Sequence, residues 1–501
     1  MFKLPFPFNS PYNYLLYWSI VFAAVPWLYS YFNDHHRLAT MTIEKAITKS
    51  WDRVMTQPSI KFRRLMIGIN CNVDVVVSGV SLMNKLNASG VDAGDKSQLN
   101  SVNDLYGTFI HFFSKGAPAE RYMADEDTFQ LLVKIATEHR EIKPMYHIGG
   151  NAALFAQKIA SSFPLTIAFL VGPIGPRANA LLHPSIVRNN STRIAEDELH
   201  IILEYKQGEI LGEYVSPASS RFITSHDQFS SSSIVIEMFF KAIAQFRPDV
   251  IVLTGVHLME SQPNSVRQEK LRLIKRNLLQ VDPIIPIHLH IGSMGDPSFA
   301  SEVLQRVIPF VDSLGLNEQE LSFFTKVGNG PFGNQYPISA GTIHVHKVVE
   351  MLYWLLTNFG NDKDPDSKNY NYRLERIHFH CLTYHIMVSR GSDWSNLAAS
   401  LAAGARVAGR QACNRDAEKT DYEMLEVRTG TSGKILLDKS IDKIYEFDPH
   451  NPIVSWMRND IIFMFTPVLV CKFPIRTVGI DDAISASSLM YAQYYKMEKT
   501  R

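Results

Sequence analysis

The sequence is short of the features that mark several protein classes. It has four cysteines in 501 residues: Cys71, Cys381, Cys413 and Cys471. No two of them form a CxxC pair, and no cysteine–histidine spacing fits a zinc site, so zinc ribbons and thioredoxin-type motifs are excluded. Burial is the ordinary fate of such thiols, with room for one disulfide in an oxidising compartment. Charge imbalance is also missing. With 50 basic and 49 acidic residues the formal net charge is +1, so neither nucleic acid nor an anionic membrane surface is expected as a partner. No internal repeat is present, which excludes solenoid arrays.

Uncharged apolar runs of membrane-spanning length are missing too, with one exception. Residues Tyr12 to Phe32 carry no charge, Lys3 precedes them, and Asp34, His35, His36 and Arg37 follow. A run of this length suits a signal peptide or a signal anchor. Residues 1–37 are therefore expected to direct the chain into the secretory pathway: the endoplasmic reticulum lumen, a membrane-anchored form, or secretion. Any membrane association is expected through this segment alone. Sequons at Asn87, Asn189 and Asn190 would then be open to glycosylation.

What remains is ordinary globular composition, 46% hydrophobic and 20% charged, in a chain long enough for a large core and a smaller module. Residues 38–64 read as a linker or N-terminal helix. From there, apolar runs recur. The stretch Leu65 to Val77 reads as a strand, as do runs beginning at Thr166, His200, Asp249, Ile285, Val311 and Ile377. Helical patterns lie between them, clearest at Ser265 to Gln280 and weaker from Asp364. Near-continuous Val/Ile/Leu strands alternating with helices imply an α/β protein whose mostly parallel sheet is covered on both faces. Ligands in such folds sit at the carboxyl ends of the strands. Polar and glycine residues follow the runs at those ends: Asn70, Asn72 and Asp74; Gly149-Gly150-Asn151, which opens a helix over 152–160; Gly172 and Gly175; Gly255; Asn317 and Glu320.

The segment Thr477 to Ala486 carries the chemistry. A glycine turn leads into a helix on which Ala483, Ala486, Met490 and Tyr494 share one face. The first N–H groups of a helix lack internal partners and attract an anion. Asp482, in the first turn, is placed to accept a proton from an attacking hydroxyl. Alternatively it is only an acidic residue complementing the helix dipole.

Several segments in order resemble the ADP-dependent sugar kinases, specifically the ADP-dependent glucokinases of the ribokinase-like superfamily. They are Asn72-Val-Asp74, Lys115 to Glu120, Gly149-Gly150-Asn151, His200 to Tyr205, Arg221-Phe-Ile, Leu314 to Glu320, Arg376 to His380 and Val478-Gly-Ile-Asp-Asp482. The resemblance spans roughly residues 60 to 497. It implies a large three-layer α/β/α domain over 65–497, with a smaller α/β lid from insertions near 75–135 and 185–225. It implies phosphorylation of glucose at the 6-hydroxyl by ADP, giving glucose 6-phosphate and AMP, with Mg²⁺ as cofactor.

The resemblance also implies roles. Asp482 would be the base. The backbone of Gly479, Ile480 and Asp481 would form the anion hole, and Arg221 would meet the nucleotide phosphates. Asn317 and Glu320 match an NxxE motif that holds magnesium largely through water, so Glu320 and Asp482 would serve the metal. Asn72, Asp74, Glu120, Gly149, Gly150 and Asn151 would line the sugar pocket. Glu120 would bind a sugar hydroxyl but repel a sugar phosphate. Residues 468–478 would run beside the adenine. His378 and His380 read as core or hinge histidines.

The pattern departs from the family twice. Asp481 stands where glycine is usual, and its charge ~5 Å from a phosphate would cost roughly 3 kcal/mol at an effective dielectric of ~20. His290 stands where an HxE motif has its glutamate, and loss of such a supporting partner typically costs about 10–100-fold. Two rival readings stay open beside the glucokinase: an ADP-dependent kinase of another sugar or of fructose 6-phosphate, and a catalytically impaired relative that binds sugar or nucleotide.

Overall fold

The computed structural model describes residues 42–496, apart from 87, 89–90, 335–343, 363–366, 370, 414–421, 430–433 and 476–477. The N-terminal apolar segment, the sequon at Asn87, the helical pattern beginning at Asp364, and Thr477 lie outside the described residues.

One ten-stranded sheet organises the chain. Its order runs Val454–Arg458, Ile461–Pro467, Tyr384–Arg390, Arg376–His380, Ser313–Asn317, Ile287–His290, Val250–Leu253, Arg64–Gly68, Ile167–Val171, Val187–Arg188. From Arg376–His380 to Val187–Arg188 every neighbouring pair is parallel. The remaining pairs are antiparallel. Alternation along each strand sends side chains to both faces. Leu65 and Ile67 pack with Ala153, Phe155, Leu401 and Leu489 on one side. Met66 packs with Phe239, Leu271 and Phe324 on the other. Helices thus cover both faces, and each fully buried Leu, Ile or Phe contributes roughly 1.5–3 kcal/mol.

A second, six-stranded sheet has the order Gln98–Leu99, Ala119–Met123, Ser220–Ser225, Leu199–Tyr205, Asn72–Ser78, Met145–Gly149. Its strands come from residues 72–149 and 199–225, while Val187–Arg188 pairs with the main sheet. One face is apolar: Val75, Val77, Leu203 and Phe222 pack against Leu82, Phe109 and Leu132 from three helices. The period of two therefore turns Asp74, His200, Arg221 and Glu120 to the other face. Asp74 pairs in register with His200, and Ile223 with Glu120. The chain crosses between the two sheets four times, near residues 69–71, 149–151, 189–198 and 226–232.

Three expectations need correction. The run Leu65 to Val77 is two strands in different sheets, Arg64–Gly68 and Asn72–Ser78. It breaks because Asn70 turns inward and its Oδ1 accepts the N–H of Ala152; two buried strands in succession look like one long one. The C-terminal helix, Ile480–Tyr491, ends before Tyr494. Tyr494 is in a short strand paired with Trp394, although it packs in the same core as Ala486 and Met490. The run at His200 belongs to the second sheet rather than the main one. The helix expected over 265–280 is Asn264–Leu278.

Candidate active site

The open face of the second sheet looks onto the carboxyl ends of the main strands across a cleft. Asp74, Glu120, Gly150, Asn151, Arg221, Glu320, Gly479, Asp481 and Asp482 all line it. Asn72, Gly149 and Ile480 stand behind that lining.

The floor at one end is the N-terminus of the helix Ile480–Tyr491. Gly479 caps it with φ of +76° and contributes no side-chain hydrogen bond. A left-handed residue is needed to turn the chain into the helix, and glycine adopts it without strain. A Cβ there would also press on Leu154 at 3.3 Å. The leading N–H groups therefore stay open for an anion. Ala483 and Ala486 are buried, and these small residues let the helix lie close against Leu397–Ala412. The two helices are tied by Ser400 Oγ donating to the Ser488 carbonyl at 2.7 Å. Arg376, fully buried, donates to Ser313, Ser400 and Ser488. Burial without an acidic partner pushes its pKa down to about 9.

Asp482 is 3% exposed. Its Oδ1 accepts from Asn151 Nδ2 at 3.1 Å and lies 3.3 Å from His290 Nε2. Asn151 in turn accepts from Asn70 Nδ2 at 3.3 Å. Asn70, Asn151 and Asp482 thus form a chain from the first crossing to the C-terminal helix. Burial would lower the pKa of His290. The Asp482 carboxylate, helped by Glu320 and Asp481, outweighs this and raises it.

Asn317 caps the helix Glu318–Val327 in a capping box: its side chain accepts from Gln319 and Glu320 N–H, and Glu320 Oε2 accepts the Asn317 N–H. The motif is thus structural before it is anything else. Glu320 is nonetheless pushed up to about 8. Burial is the main cause; the Asn317 N–H opposes it, and the charges of Asp481 and Asp482 add to it.

At the other end are the polar groups of the second sheet and its crossing. Asn72 Nδ2 donates to Asp74 Oδ1 at 2.7 Å. Gly149 faces both, and a Cβ on it would sit 1.9 Å from that oxygen. Gly150 has φ of +83° and opens the helix Asn151–Ser162. Glu120 lies between His200 Nδ1 and His257 Nε2, each 3.9 Å away. Burial works against charging His200, but Asp227, followed by Glu120 and Asp74, raises its pKa to about 9. Arg221 stands on Ser220–Ser225, and its Nε is buried without a hydrogen bond among the described residues. Such a donor fits an incoming anion.

Sequence reading missed His257, which lines the cleft from a short 3₁₀ turn, Val256–Met259. Gly255 after an apolar run, with His257 two residues on, was the available signal. It also treated His380 as a core or hinge residue. His380 is buried, yet its Nε2 faces Asp481 Oδ1 at 3.4 Å. His378 is a core residue against Gly404. The segment expected beside the adenine includes Leu469–Cys471, whose Cys471 forms a disulfide with Cys413.

The molecule is an α/β protein with a three-layer α/β/α body and a smaller α/β module, and a helix N-terminus with a buried carboxylate beside it stands where the two sheets meet. The conserved region of the ADP-specific phosphofructokinase/glucokinase family matches residues 63–491, and the chain belongs to that family. It is 58% identical over 486 residues to a probable ADP-dependent glucokinase of Caenorhabditis elegans, covering 97% of this chain and 96% of that one. It is 37% identical to the ADP-dependent glucokinase of Bos taurus, with 90% and 89% covered. A solved ADP-dependent kinase in complex with fructose 6-phosphate and ADPβS shares the fold, with a TM-score of 0.64 at 18% identity over 91% of this chain and 99% of that one.

Proposed function

We propose that the protein is an ADP-dependent glucokinase, converting ADP and glucose to AMP and glucose 6-phosphate. The observation that carries this reading is Asp482, buried at the open N-terminus of a helix and facing a carboxylate- and amide-lined pocket across one cleft. Glucose is a neutral polyol, and Asp74, Glu120 and Asn151 offer acceptors and donors for its hydroxyls. The two carboxylates at that end disfavour a sugar that already carries phosphate. Asp482 takes the proton of the 6-hydroxyl as its oxygen attacks the β-phosphorus. The new O6–P bond forms, the bond to the AMP oxygen breaks, and the free N–H groups at residues 480 and 481 and the Arg221 guanidinium stabilise the transferring phosphoryl group. Positioning does most of this work, so the Asn70–Asn151–Asp482 chain matters as much as basicity.

Magnesium fits this donor set only indirectly. Among the described residues no three metal-binding side chains converge to hold an ion alone. Glu320 and Asp482 suit an ion that keeps its waters and shares phosphate oxygens. When bound, the ion would neutralise phosphate charge.

The disulfide Cys413–Cys471 supports an oxidising, secretory compartment as the working location. The experiment for the activity is direct. Residues 38–501, glucose, Mg²⁺ and either ADP or ATP are incubated, and AMP and glucose 6-phosphate are quantified. Equimolar AMP and glucose 6-phosphate from ADP is the expected result. A protein that binds ADP or glucose and forms neither product would sink the reading.

A further inference from the structure

Asp481 is the misfit of the cleft. It is the second residue of the helix Ile480–Tyr491, so its carboxylate stands beside N–H groups that suit an anion. A carboxylate free to swing there would compete with a phosphate or repel it.

Three observations fix where that carboxylate goes. His380 ends the strand Arg376–His380, in register with Asn317 on the neighbouring parallel strand, and so stands in the row of strand ends that floors the cleft. Its ring is buried and packed among three other imidazoles: His290, stacked at 6.4 Å with planes 19° apart, His378 at 5.9 Å and His385 at 6.0 Å. A ring held in this way has little freedom, and its Nε2 meets Asp481 Oδ1 at 3.4 Å. The Asp481 side chain remains about half-exposed and so could turn elsewhere if nothing held it.

We propose that His380 is a positioning residue for the nucleotide: it anchors the Asp481 carboxylate to one side of the helix N-terminus and thereby makes an aspartate compatible with a phosphate bound there. The inference rests on the ADP-binding reading above. It adds a role to a histidine whose sequence context marks only a core strand. His380 acts through Asp481, whose Oδ1 lies within ion-pair distance of its Nε2, and touches neither the sugar nor the attacking oxygen.

The test is a double-mutant cycle on the full chain, read as ADP affinity by calorimetry, with and without Mg²⁺. His380→Phe keeps the buried ring and removes the donor. It should weaken ADP binding about tenfold. In an Asp481→Ala background the same replacement should change ADP affinity less than about twofold, because the carboxylate it restrains is gone. His380→Gln, which returns an N–H near the Nε2 position, should recover most of the loss. Glucose affinity and melting temperature, followed in each variant, report a folding defect separately, and such a defect would persist in the Asp481→Ala background. An equal loss from His380→Phe in both backgrounds overturns the proposal, as does no loss in either. AMP formation by the unmodified protein reports on the glucokinase reading independently. A protein that fails to bind ADP at all overturns both.

Discussion

Asp482→Asn is the substitution on which the mechanism depends most. The two side chains have the same shape, and the site is 3% exposed, so the change is one of charge and basicity. Asn151 Nδ2 can still donate to the carbonyl oxygen of the new amide, preserving the contact seen at 3.1 Å. The variant also removes one of the charges that holds Glu320 near 8. The variant also loses the carboxylate that raises His290, which offsets that relief, so folding should be retained and the melting temperature without cation should stay nearly level. On the proposed mechanism, what is lost is the proton acceptor for the 6-hydroxyl. General-base catalysis contributes typically about 10²–10⁴-fold, so kcat should fall about 10³-fold, or ~4 kcal/mol in barrier height. Glucose and ADP contacts lie mainly on other residues, so KM for each should move by less than about fivefold. Steady-state rates of glucose 6-phosphate formation, coupled to a dehydrogenase, give both parameters. A variant keeping a tenth or more of the original kcat would refute the assignment of Asp482 as base. A fall confined to KM would assign it to binding instead.

Three other outcomes are expected. Gly149→Ala places a methyl 1.9 Å from Asp74 Oδ1; it should weaken glucose binding by at least about tenfold and leave ADP affinity, measured without sugar, within a factor of two. Glu320, raised to about 8, gives a stability contribution that is full below the ordinary carboxylate range and lost as pH rises through about 8. The cation-free protein should thus lose melting temperature between pH 5 and 9 more steeply than Glu320→Gln, and identical slopes would contradict that. Opening the Cys413–Cys471 bridge, which closes a loop of sequence separation 58, removes about 4 kcal/mol on the chain-entropy account. Cys471→Ser should unfold at clearly lower denaturant concentration, and an unchanged midpoint would show that the bridge is dispensable.

Much of this architecture was legible because the relevant signals are local. Gly479-Ile480 followed by two aspartates announces a helix start, and the runs beginning at Asp249 and Val311 announce buried strands with polar ends. Other features depend on what the chain meets in space. The division of Leu65 to Val77 between two sheets is invisible to periodicity, since both halves are apolar and the break is fixed by the contacts of Asn70 with Asn151 and Ala152. The end of the C-terminal helix before Tyr494 could not be read from a spacing that continued in register. His257 and His380 resembled other buried histidines, because a histidine's role is set by the carboxylate opposite it, and Glu120 and Asp481 lie far away in sequence.

The four crossings between the sheets have a mechanical meaning. Four passages of chain between two bodies would act like the knuckles of a door hinge, allowing rotation about the line that joins them and resisting sliding or twisting. Glu198 Oε1 stiffens this line by accepting from Gln228 and Phe229 across two of the crossings. Asn70, Gly150 and Asn151 belong to the hinge line itself. Parts near a pivot travel least, so in such a rotation Asn70 and Asn151 would hold Asp482 steady while Glu120 and Arg221, farther out on the second sheet, would swing toward or away from it.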